Sequence, residues 1–394
     1  MNTSSQHPRG FDWAGTVPAP AATPDVTVIV PCYNVEKWLD QCLTSILEND
    51  QATLEVIVVN DGSPDGSLEI MRRFEQADPR VHVIDKPNGG YGMGVNVGLA
   101  NAHGTYVAIV EPDDYVRPHF YDETLAFART FDELPQIVKT PYVRVTMPGT
   151  PQERLYHCAY YDRIHPARQP FTLVDEPRII QHHPSIWSAL YLRSFLAEKG
   201  IHFMEVPGAG WVDNPFLVET YCQAQSIVFL NKEFYCYRED LPGSSSMLRS
   251  SNLAFERWHQ MMDIIEELGI DDPGILSAHI VRGFTYLGGV LEEGDIAGTQ
   301  TEAELRRMLE RMDPALVLSS PYLNSDRKKM FCRARGITQK TWTCGPHVRS
   351  LADEFWYSMR TNGAGFAFSR VGVYFARRFN IAAHDPTKTA SAGI

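Results

Sequence analysis

The sequence predicts an α/β protein in which helices flank a mostly parallel sheet, followed by a mainly helical C-terminal region. Apolar, strand-length segments such as VTVIVP (26–31) and LEVIVVN (54–60) alternate with helix-length segments, as in a parallel sheet covered on both faces. Polar residues gather where these strands end. After about residue 250 the apolar spacing becomes helical, as in NLAFERWHQMMDIIEELG.

The elements follow in order along the chain. Residues 1–24, rich in Ser, Pro and Ala, are expected to form a loose tail. Strands VTVIVP, LEVIVVNDGS and VHVID are each followed by a helix, and the strand YVAIV (106–110) comes next. The first domain is predicted over 25–246 and the helical domain over 247–394. In the first helix one face carries Leu39, Leu43, Ile46 and Leu47.

Composition limits the class of protein. A chain of 394 residues suits two domains, and 44% hydrophobic with 21% charged residues is typical of a soluble globular protein. The net charge of −12 argues against general nucleic-acid binding. Seven scattered cysteines without a CxxC pair favour free thiols in a reducing compartment. With no signal-peptide core in MNTSSQHPRGFDW, we expect a cytoplasmic protein.

Charge is distributed unevenly along the chain. Residues 301–394 hold 15 Lys and Arg against 8 Asp and Glu, a net charge of +7, which leaves −19 for the first 300 residues. The segment FSRVGVYFARRF predicts an amphipathic helix, for which packing on the rest of the protein is favoured and peripheral contact with an anionic membrane is the alternative. Its apolar face would consist of Phe368, Val371, Phe375 and Phe379.

Three carboxylates follow the strand in YVAIVEPDDYV (106–116). Like charges as close as Glu111, Asp113 and Asp114 repel one another unless a cation lies between them. On an extended chain, side chains two residues apart project to the same side. The pair Glu111 and Asp113 could therefore bind a ribose and a divalent cation that bridges two phosphates. A solvated acidic turn is the alternative, because Asp and Pro are common in turns.

Two polar loops offer further candidate contacts. In NDGSPDGS (60–67), Asp61 could accept a hydrogen bond from a nucleobase, although Asn, Asp, Gly and Ser also form ordinary turns and helix caps. In NGGYGMGVNVG (88–98), Gly92, Gly94 and Gly98 form GxGxxxG, which could indicate a nicotinamide-dependent oxidoreductase. That fingerprint belongs in the first βα turn, where this chain has PCYNVEKW without glycine. A glycine-rich loop close to a pyrophosphate is favoured instead.

One more acid stands in GAGWVDNPF (208–216). Asp213 lies beside Trp211, and a carboxylate next to an aromatic ring can act as a general base over the apolar face of a sugar. A helix N-cap is the alternative for an Asp at this position. No HExxH, GxSxG or Walker P-loop motif occurs in the chain.

The order of these motifs resembles the family 2 glycosyltransferases with the GT-A (Rossmann-like) fold, and bacterial surface-polysaccharide glycosyltransferases in particular. The resemblance covers about 25–246. It implies inverting transfer of a sugar from a nucleotide-diphosphate donor, expected to be a UDP-sugar, to a hydroxyl of a glycan or lipid-linked acceptor, with Mg²⁺ or Mn²⁺ as cofactor. It rests on the segments VIVPCYN, VVNDGS, NGGYGMGVNVGLANAHG, VEPDD, IWSALYLRSFL, GWVDNPF and YCYREDLPGSSS.

The resemblance also implies roles for single residues. Asp113 would be the metal ligand and Asp213 the catalytic base. The positions that match the family's nucleotide-sugar contacts are Pro31, Tyr33, Asn34, Asp61, Gly89, Gly90, Asn96, Glu111 and Asp114.

Three positions depart from the family pattern. Glu111 stands where the motif has Asp, and Val212 replaces the acid that usually precedes the base. Ala254 occupies the Gln position of the processive synthases' QxxRW, so we expect transfer of one sugar per encounter. Because of Val212, a non-catalytic protein that binds nucleotide sugars is an alternative, and an oxidoreductase is a more distant one.

Overall fold

The computed structural model describes residues 17–48, 51–239, 241, 251–292, 300–338 and 345–378. The chain forms two compact units that alternate along the sequence. Unit 1 contains the residues up to Thr140, Ser185–Phe216 and Ser226–Leu230. Unit 2 contains Pro141–Pro184, Leu217–Gln225 and the chain from Asn231.

Strands and helices alternate through the first half of the chain, and helices dominate the second half. In the described residues the strands are β1 (Val26–Cys32), β2 (Leu54–Asp61), β3 (Val81–Lys86), β4 (Tyr106–Ile109), β5 (Tyr115–Val116), β6 (Ile137–Lys139), β7 (Tyr142–Thr146), β8 (Arg154–His157), β9 (Ala189–Leu192), β10 (Ile227–Phe229) and β11 (Tyr235–Arg238). The helices are α1 (Glu36–Leu47), α2 (Ser67–Ala77), α3 (Tyr91–Asn101), α4 (Phe120–Ala128), α5 (Arg193–Lys199), α6 (Asp213–Gln223), α7 (Ser251–Glu267), α8 (Pro273–Glu292), α9 (Gln300–Arg311), α10 (Pro314–Ser319), α11 (Ser325–Ala334) and α12 (Gly345–Arg378), with a 3₁₀ turn at Pro177–Ile180.

The core of unit 1 is a seven-stranded sheet in the order β10-β6-β9-β4-β1-β2-β3. All its neighbouring strands are parallel except β9, which runs antiparallel to both β4 and β6. Every residue of β1 and β2 is buried, as expected for Val- and Ile-rich strands covered on both faces. The predicted mostly parallel sheet with flanking helices is confirmed.

The predicted loose tail is packed at Val17, whereas residues 18–23 are exposed. Val17 is buried against Ile57, Val59 and Val97 on the sheet, and its backbone N–H donates to Asn101 Oδ1 at 3.1 Å. Residues 1–16 lie outside the described part of the chain.

Unit 2 combines a small sheet with the C-terminal helices. Strand β7 pairs with β11 in parallel and with β8 antiparallel. Trp258 of α7 is fully buried and stacks on His279 of α8, with ring centroids 4.6 Å apart. The predicted helical C-terminal region is confirmed. No helix in the described residues is long and apolar enough to cross a membrane.

Candidate functional site

The carboxyl ends of β1, β2 and β4 meet at one edge of the unit 1 sheet, because these strands are parallel neighbours. After β1 the chain turns at Asn34, which has a φ of 57°, and the Asn34 N–H donates to Ser63 Oγ at 3.2 Å. The loops that follow β1 and β2 are thereby tied together. Of the residues predicted to line a nucleotide site here, Tyr33 is 51% exposed and Asn34 is exposed, whereas Pro31 is buried within β1.

Asp61, the last residue of β2, holds the loop that precedes α3. Its two carboxylate oxygens accept hydrogen bonds from the N–H groups of Gly89 and Gly90, both at 2.8 Å. Its side chain is 6% exposed and is ion-paired with Lys86. The predicted contact of Asp61 with a nucleobase would have to share these oxygens, so the visible role of Asp61 is to fix the Gly89–Gly90 backbone.

The GxGxxxG glycines belong to helix α3, and packing explains two of the three, Gly92 and Gly98. A Cβ on Gly92 would collide with the carbonyl oxygen of Met204, and a Cβ on Gly98 would collide with the side chain of Ile29. These glycines therefore let the helix approach other parts of the protein, as close helix packing requires. Close packing thus accounts for Gly92 and Gly98 without a bound dinucleotide.

The side-chain amide of Asn96, also in α3, forms hydrogen bonds with other parts of the protein. Its Nδ2 donates to Phe203 O at 2.9 Å and to Glu205 Oε1 at 3.1 Å, and its Oδ1 accepts from Phe203 N–H at 2.8 Å. The side chain is buried. Its predicted place near a nucleotide remains a prediction, and its present contacts fasten the segment that leads toward Asp213.

The acids after β4 divide between two sides of the chain. Val110 N–H donates to Ile29 O at 2.9 Å, which continues the pairing with β1 to the start of the acidic segment. Glu111 and Asp113 are partly exposed, whereas Asp114, which follows them, is fully buried. The alternation places Glu111 and Asp113 together, as two-residue spacing predicts. The burial of Asp114 does not support direct contact of its carboxylate with a ligand.

Glu111 has an unusual electrostatic environment. Burial raises the pKa of its carboxyl to about 8; a hydrogen bond from Tyr91 opposes this shift, and the charges of Asp113 and Asp213 add to it. The Tyr91 hydroxyl donates to Glu111 Oε1 at 2.6 Å. Coulombic effects weaken with distance. Because Asp113 and Asp213 both act on Glu111, the three carboxyl groups form one electrostatic cluster.

Asp213 is the first residue of α6, after a turn in which Gly210 and Trp211 have φ values of 56° and 51°. Its Oδ1 accepts a hydrogen bond from Asn214 Nδ2 at 2.9 Å. An acid in the first turn also interacts favourably with the helix dipole, so the structural and catalytic interpretations of Asp213 are compatible. Val212 is 1% exposed and belongs to the core.

Comparison with known proteins decides the family. A family model described as glycosyl transferase family 2 matches residues 27–197. Glycosyltransferase GlyG of Streptococcus pneumoniae is 30% identical over 252 residues, which are 61% of this chain and 77% of that protein. The chain belongs to glycosyl transferase family 2.

Two further relatives are matched over smaller shares of their length, and a solved structure shows the fold. Glycosyltransferase GlyA of S. pneumoniae is 29% identical over 61% of this chain and 34% of its own length. The uncharacterized glycosyltransferase EpsJ of Bacillus subtilis is 29% identical over 55% of this chain and 62% of its own. The chain thus spans between about a third and two thirds of these relatives. The crystal structure of S. aureus TarS 1-349 in complex with UDP-GlcNAc superposes with a TM-score of 0.64 at 22% identity, covering 79% of this chain and 88% of that one.

The acids at this edge of the sheet fit a cation that also binds a ligand better than one enclosed by protein side chains alone. Carboxylate oxygens suit Mg²⁺ or Mn²⁺. Within the part of the chain that the structure describes, however, no group of three or more His, Cys, Asp or Glu side chains is arranged to hold a metal ion. Mg²⁺ commonly takes one or two carboxylates and completes its shell with phosphate oxygens and water. Glu111 and Asp113 suit such a partial set of ligands.

Sequence reasoning missed Tyr91, which the structure brings to Glu111. Its backbone N–H also donates to Gly208 O at 2.9 Å, so Tyr91 contacts both the acidic segment and the chain that leads to Asp213. The available signal was the longer Glu111 side chain at a position where the family motif has Asp.

Proposed function

We propose that this protein is an inverting, metal-dependent and non-processive glycosyltransferase of surface-polysaccharide assembly. It would move a sugar from a nucleotide-diphosphate donor, with a UDP-sugar favoured, to a hydroxyl of a glycan or lipid-linked acceptor. The observation that carries this proposal is the cluster of Glu111, Asp113 and Asp213 in unit 1. The fold shared with TarS, whose crystal structure contains UDP-GlcNAc, supports the choice of donor. The predicted cytoplasmic location is part of the proposal.

On the donor side, the exposed residues after β1 and the loop fixed by Asp61 would receive the nucleotide. Tyr33 and Asn34 are accessible to a ligand, and the backbone of Gly89 and Gly90 is already held in place. Asp113 would hold the Mg²⁺ or Mn²⁺ ion, with Glu111 beside it. When bound, that ion supplies positive charge to the departing diphosphate.

On the acceptor side, Asp213 would take the proton of the acceptor hydroxyl. The oxygen then forms a bond to the anomeric carbon on the face opposite the nucleotide, while the bond from that carbon to the diphosphate oxygen breaks. The proton ends on the Asp213 carboxylate and the electron pair on the diphosphate. One displacement of this kind inverts the anomeric configuration and needs no covalent intermediate.

The second candidate is a non-catalytic protein that binds nucleotide sugars. It is favoured by Val212, whose buried apolar side chain replaces the acid that usually precedes the base. The two candidates share the donor site and differ only in whether Asp213 performs chemistry.

Calorimetric titration of UDP tests the donor site. We expect binding in the presence of Mn²⁺ that is lost with EDTA and in Asp113→Ala, while Asp132→Ala, at an exposed position away from the strand ends, binds like the wild type. Binding that ignores both EDTA and Asp113→Ala would make the acidic segment an ordinary turn.

Donor turnover tests the base. Asp213→Asn is expected to keep UDP–Mn²⁺ binding. The rates of sugar transfer and of donor hydrolysis should both fall by about a hundredfold or more, as they do when a general base is lost. Unchanged turnover in this variant would exclude Asp213 as the base. Wild-type protein that binds UDP without turning over any nucleotide sugar would support the non-catalytic candidate.

A further inference from the structure

Helix α12 of unit 2 has one side packed and the other side open. On the packed side, the Tyr357 hydroxyl donates to Tyr161 O at 2.7 Å, and Glu354 pairs with Arg163 at 2.8 Å. Ser358 is buried on the same side. Trp356 points the other way and is 66% exposed, which is unusual for the largest apolar side chain.

Exposed and partly exposed apolar side chains of α12 lie on its open side. The helical geometry breaks at Gly363, where φ is 83° and ψ is 170°. The ring centroid of Phe355 lies 5.5 Å from that of its neighbour Trp356. Across the break, it lies 5.5 Å from the ring centroid of Phe368. Val348 and Phe368 are 60% and 61% exposed. We call Val348, Phe355, Trp356 and Phe368 the aromatic surface of α12.

Arginines flank this aromatic surface. Arg349 and Arg360 lie seven residues before and four residues after Trp356, spacings that place them on the same side of a helix. Both are exposed, and Arg360 also reaches Asp162, on the edge of the packed side, at 3.5 Å. Residues 345–378 contain five arginines and two acids. Glu354 is paired on the packed side, and the exposed Asp353 lies four residues after Arg349. The open side is therefore apolar at its centre, and arginines outnumber acids along the helix.

We propose that the aromatic surface of α12 docks on an anionic lipid membrane, with the helix lying in the interface. Trp is enriched where membrane meets water, because its ring is apolar and its N–H is polar. Arginines near the surface add attraction to anionic head groups. This proposal concerns unit 2 alone and does not depend on the proposed enzymatic activity.

The surface differs from the amphipathic face predicted from the sequence. Of that predicted face, Phe368 belongs to the aromatic surface, and Phe379 lies outside the described residues. Trp356, Arg349 and Arg360 come from the helical turns before Gly363, which the prediction did not include. The break at Gly363 explains the difference, since it brings two stretches of α12 to one surface.

Vesicle sedimentation of the full chain tests the docking. We expect binding to vesicles of phosphatidylcholine with phosphatidylglycerol, much weaker binding to phosphatidylcholine alone, and release as salt screens the charges. Trp356→Ala/Phe368→Ala should weaken binding by more than about tenfold. Arg349→Gln/Arg360→Gln should weaken it by roughly thirtyfold. The matched control Arg306→Gln/Arg307→Gln removes two exposed arginines from α9 and should bind like the wild type.

Other outcomes would overturn the proposal. Absence of binding to anionic vesicles would do so, and so would equal losses in the α12 variants and in the α9 control. Light scattering distinguishes a second copy of the chain as the occupant: a wild-type dimer that dissociates in Trp356→Ala/Phe368→Ala would assign the surface to self-association. Because the substituted side chains are exposed, all variants are expected to keep the wild-type melting temperature.

Discussion

Glu111 stands where the family motif has an aspartate, and its extra methylene group reaches Tyr91. The Tyr91 ring packs edge-on against Phe203, 5.9 Å between centroids, and its backbone is held by Gly208. Tyr91 is thus fixed before it donates to Glu111. We infer that Tyr91 is a positioning residue, which holds Glu111 in the orientation that Asp113 and the donor need.

Replacing Tyr91 by Phe is expected to lower UDP–Mn²⁺ affinity by up to about tenfold, the upper end of what one hydrogen bond contributes (roughly 0.5–1.5 kcal/mol). Glu111→Asp should show a similar loss, because the shorter side chain cannot reach the hydroxyl. The double variant should lose no more than either single variant, since both remove one interaction. Calorimetry measures all three, with Tyr322→Phe as a surface control. Additive losses would contradict a positioning role.

At the scale of residues, periodicity carried the prediction only part of the way. The common side of Glu111 and Asp113 follows from extended-chain geometry, which local sequence dictates. The burial of Asp114, the engagement of Asp61 with Gly89 and Gly90, and the Tyr91–Glu111 contact all depend on how separate segments pack. A single sequence does not state which distant segments pack together, so these contacts could not be predicted from it.

At the scale of elements, helix α3 shows how closely packing governs the site. It follows β3 and precedes β4 in the chain and packs on β1 and β2, and its glycines face the 203–208 segment and β1. Its Gly90 N-terminal neighbour is held by Asp61, and its first residue is Tyr91. The close approach that the glycines permit therefore sets the position of both the loop and the tyrosine.

A matched pair of glycine substitutions tests this packing. Gly92→Ala places a methyl group against the Met204 carbonyl and should destabilise the protein by about 1–3 kcal/mol, as overpacking does. Gly94→Ala meets only Pro31 Cβ at 3.5 Å and should gain up to about 1 kcal/mol from helix propensity. Urea unfolding measures both. Equal effects of the two substitutions would contradict the packing role of Gly92.

The α7–α8 pair predicts an acid-sensitive step. Burial, reinforced by the charge of Arg282, lowers the pKa of His279 to about 3, and neither ring nitrogen has a hydrogen-bond partner among the described residues. Because the folded-state pKa lies below the unfolded value, the stabilisation is present above pH ~6.5 and is lost as the pH falls toward 3. At pH ~5.5 the loss amounts to roughly 1–2 kcal/mol.

His279→Phe should remove this acid sensitivity while keeping a ring on Trp258. The measurement is the difference in unfolding free energy between pH ~7.5 and ~5.5, which should shrink by roughly 1–2 kcal/mol in the variant. His202→Phe, at an exposed position, serves as the control and should retain the wild-type difference. A His279→Phe protein as acid-sensitive as the wild type would show that His279 is not the linked group.

Among the elements, the parallel strands were predictable and β9 was not. Continuous Val- and Ile-rich runs dictate β1 and β2, whose entire length is buried. Strand β9 has only four residues, ALYL, inside an aromatic-rich stretch. Its antiparallel insertion between β4 and β6 follows from long-range pairing, which short apolar runs do not encode.

At the scale of the whole molecule, the change of pattern near residue 250 predicted where helices begin and left open what they pack on. Contacts within unit 2 join residues that come before residue 250 to residues that come after it. Arg282 of α8, 2% exposed, donates to Ile180 O at 2.6 Å. Asn362 Oδ1 of α12 accepts from His157 N–H at 2.7 Å. The segment 141–184 is thus completed by helices that come after 250.

A fragment that ends at residue 246, such as 25–246, distinguishes two ways of dividing the molecule. One is the domain boundary predicted from the sequence, and the other is the pair of units in the structure. Without Arg282, Tyr357 and Asn362, the segment 141–184 loses its partners in unit 2, and apolar surface that the helices cover becomes exposed. We expect this fragment to bind a hydrophobic dye, to unfold without a cooperative transition and to aggregate, as chains with uncovered apolar surface do. A chain that ends at Arg378, which keeps these partners, should unfold like the full chain. A soluble fragment 25–246 that unfolds cooperatively and binds UDP–Mn²⁺ like the full chain would instead establish the domain boundary that the sequence predicts.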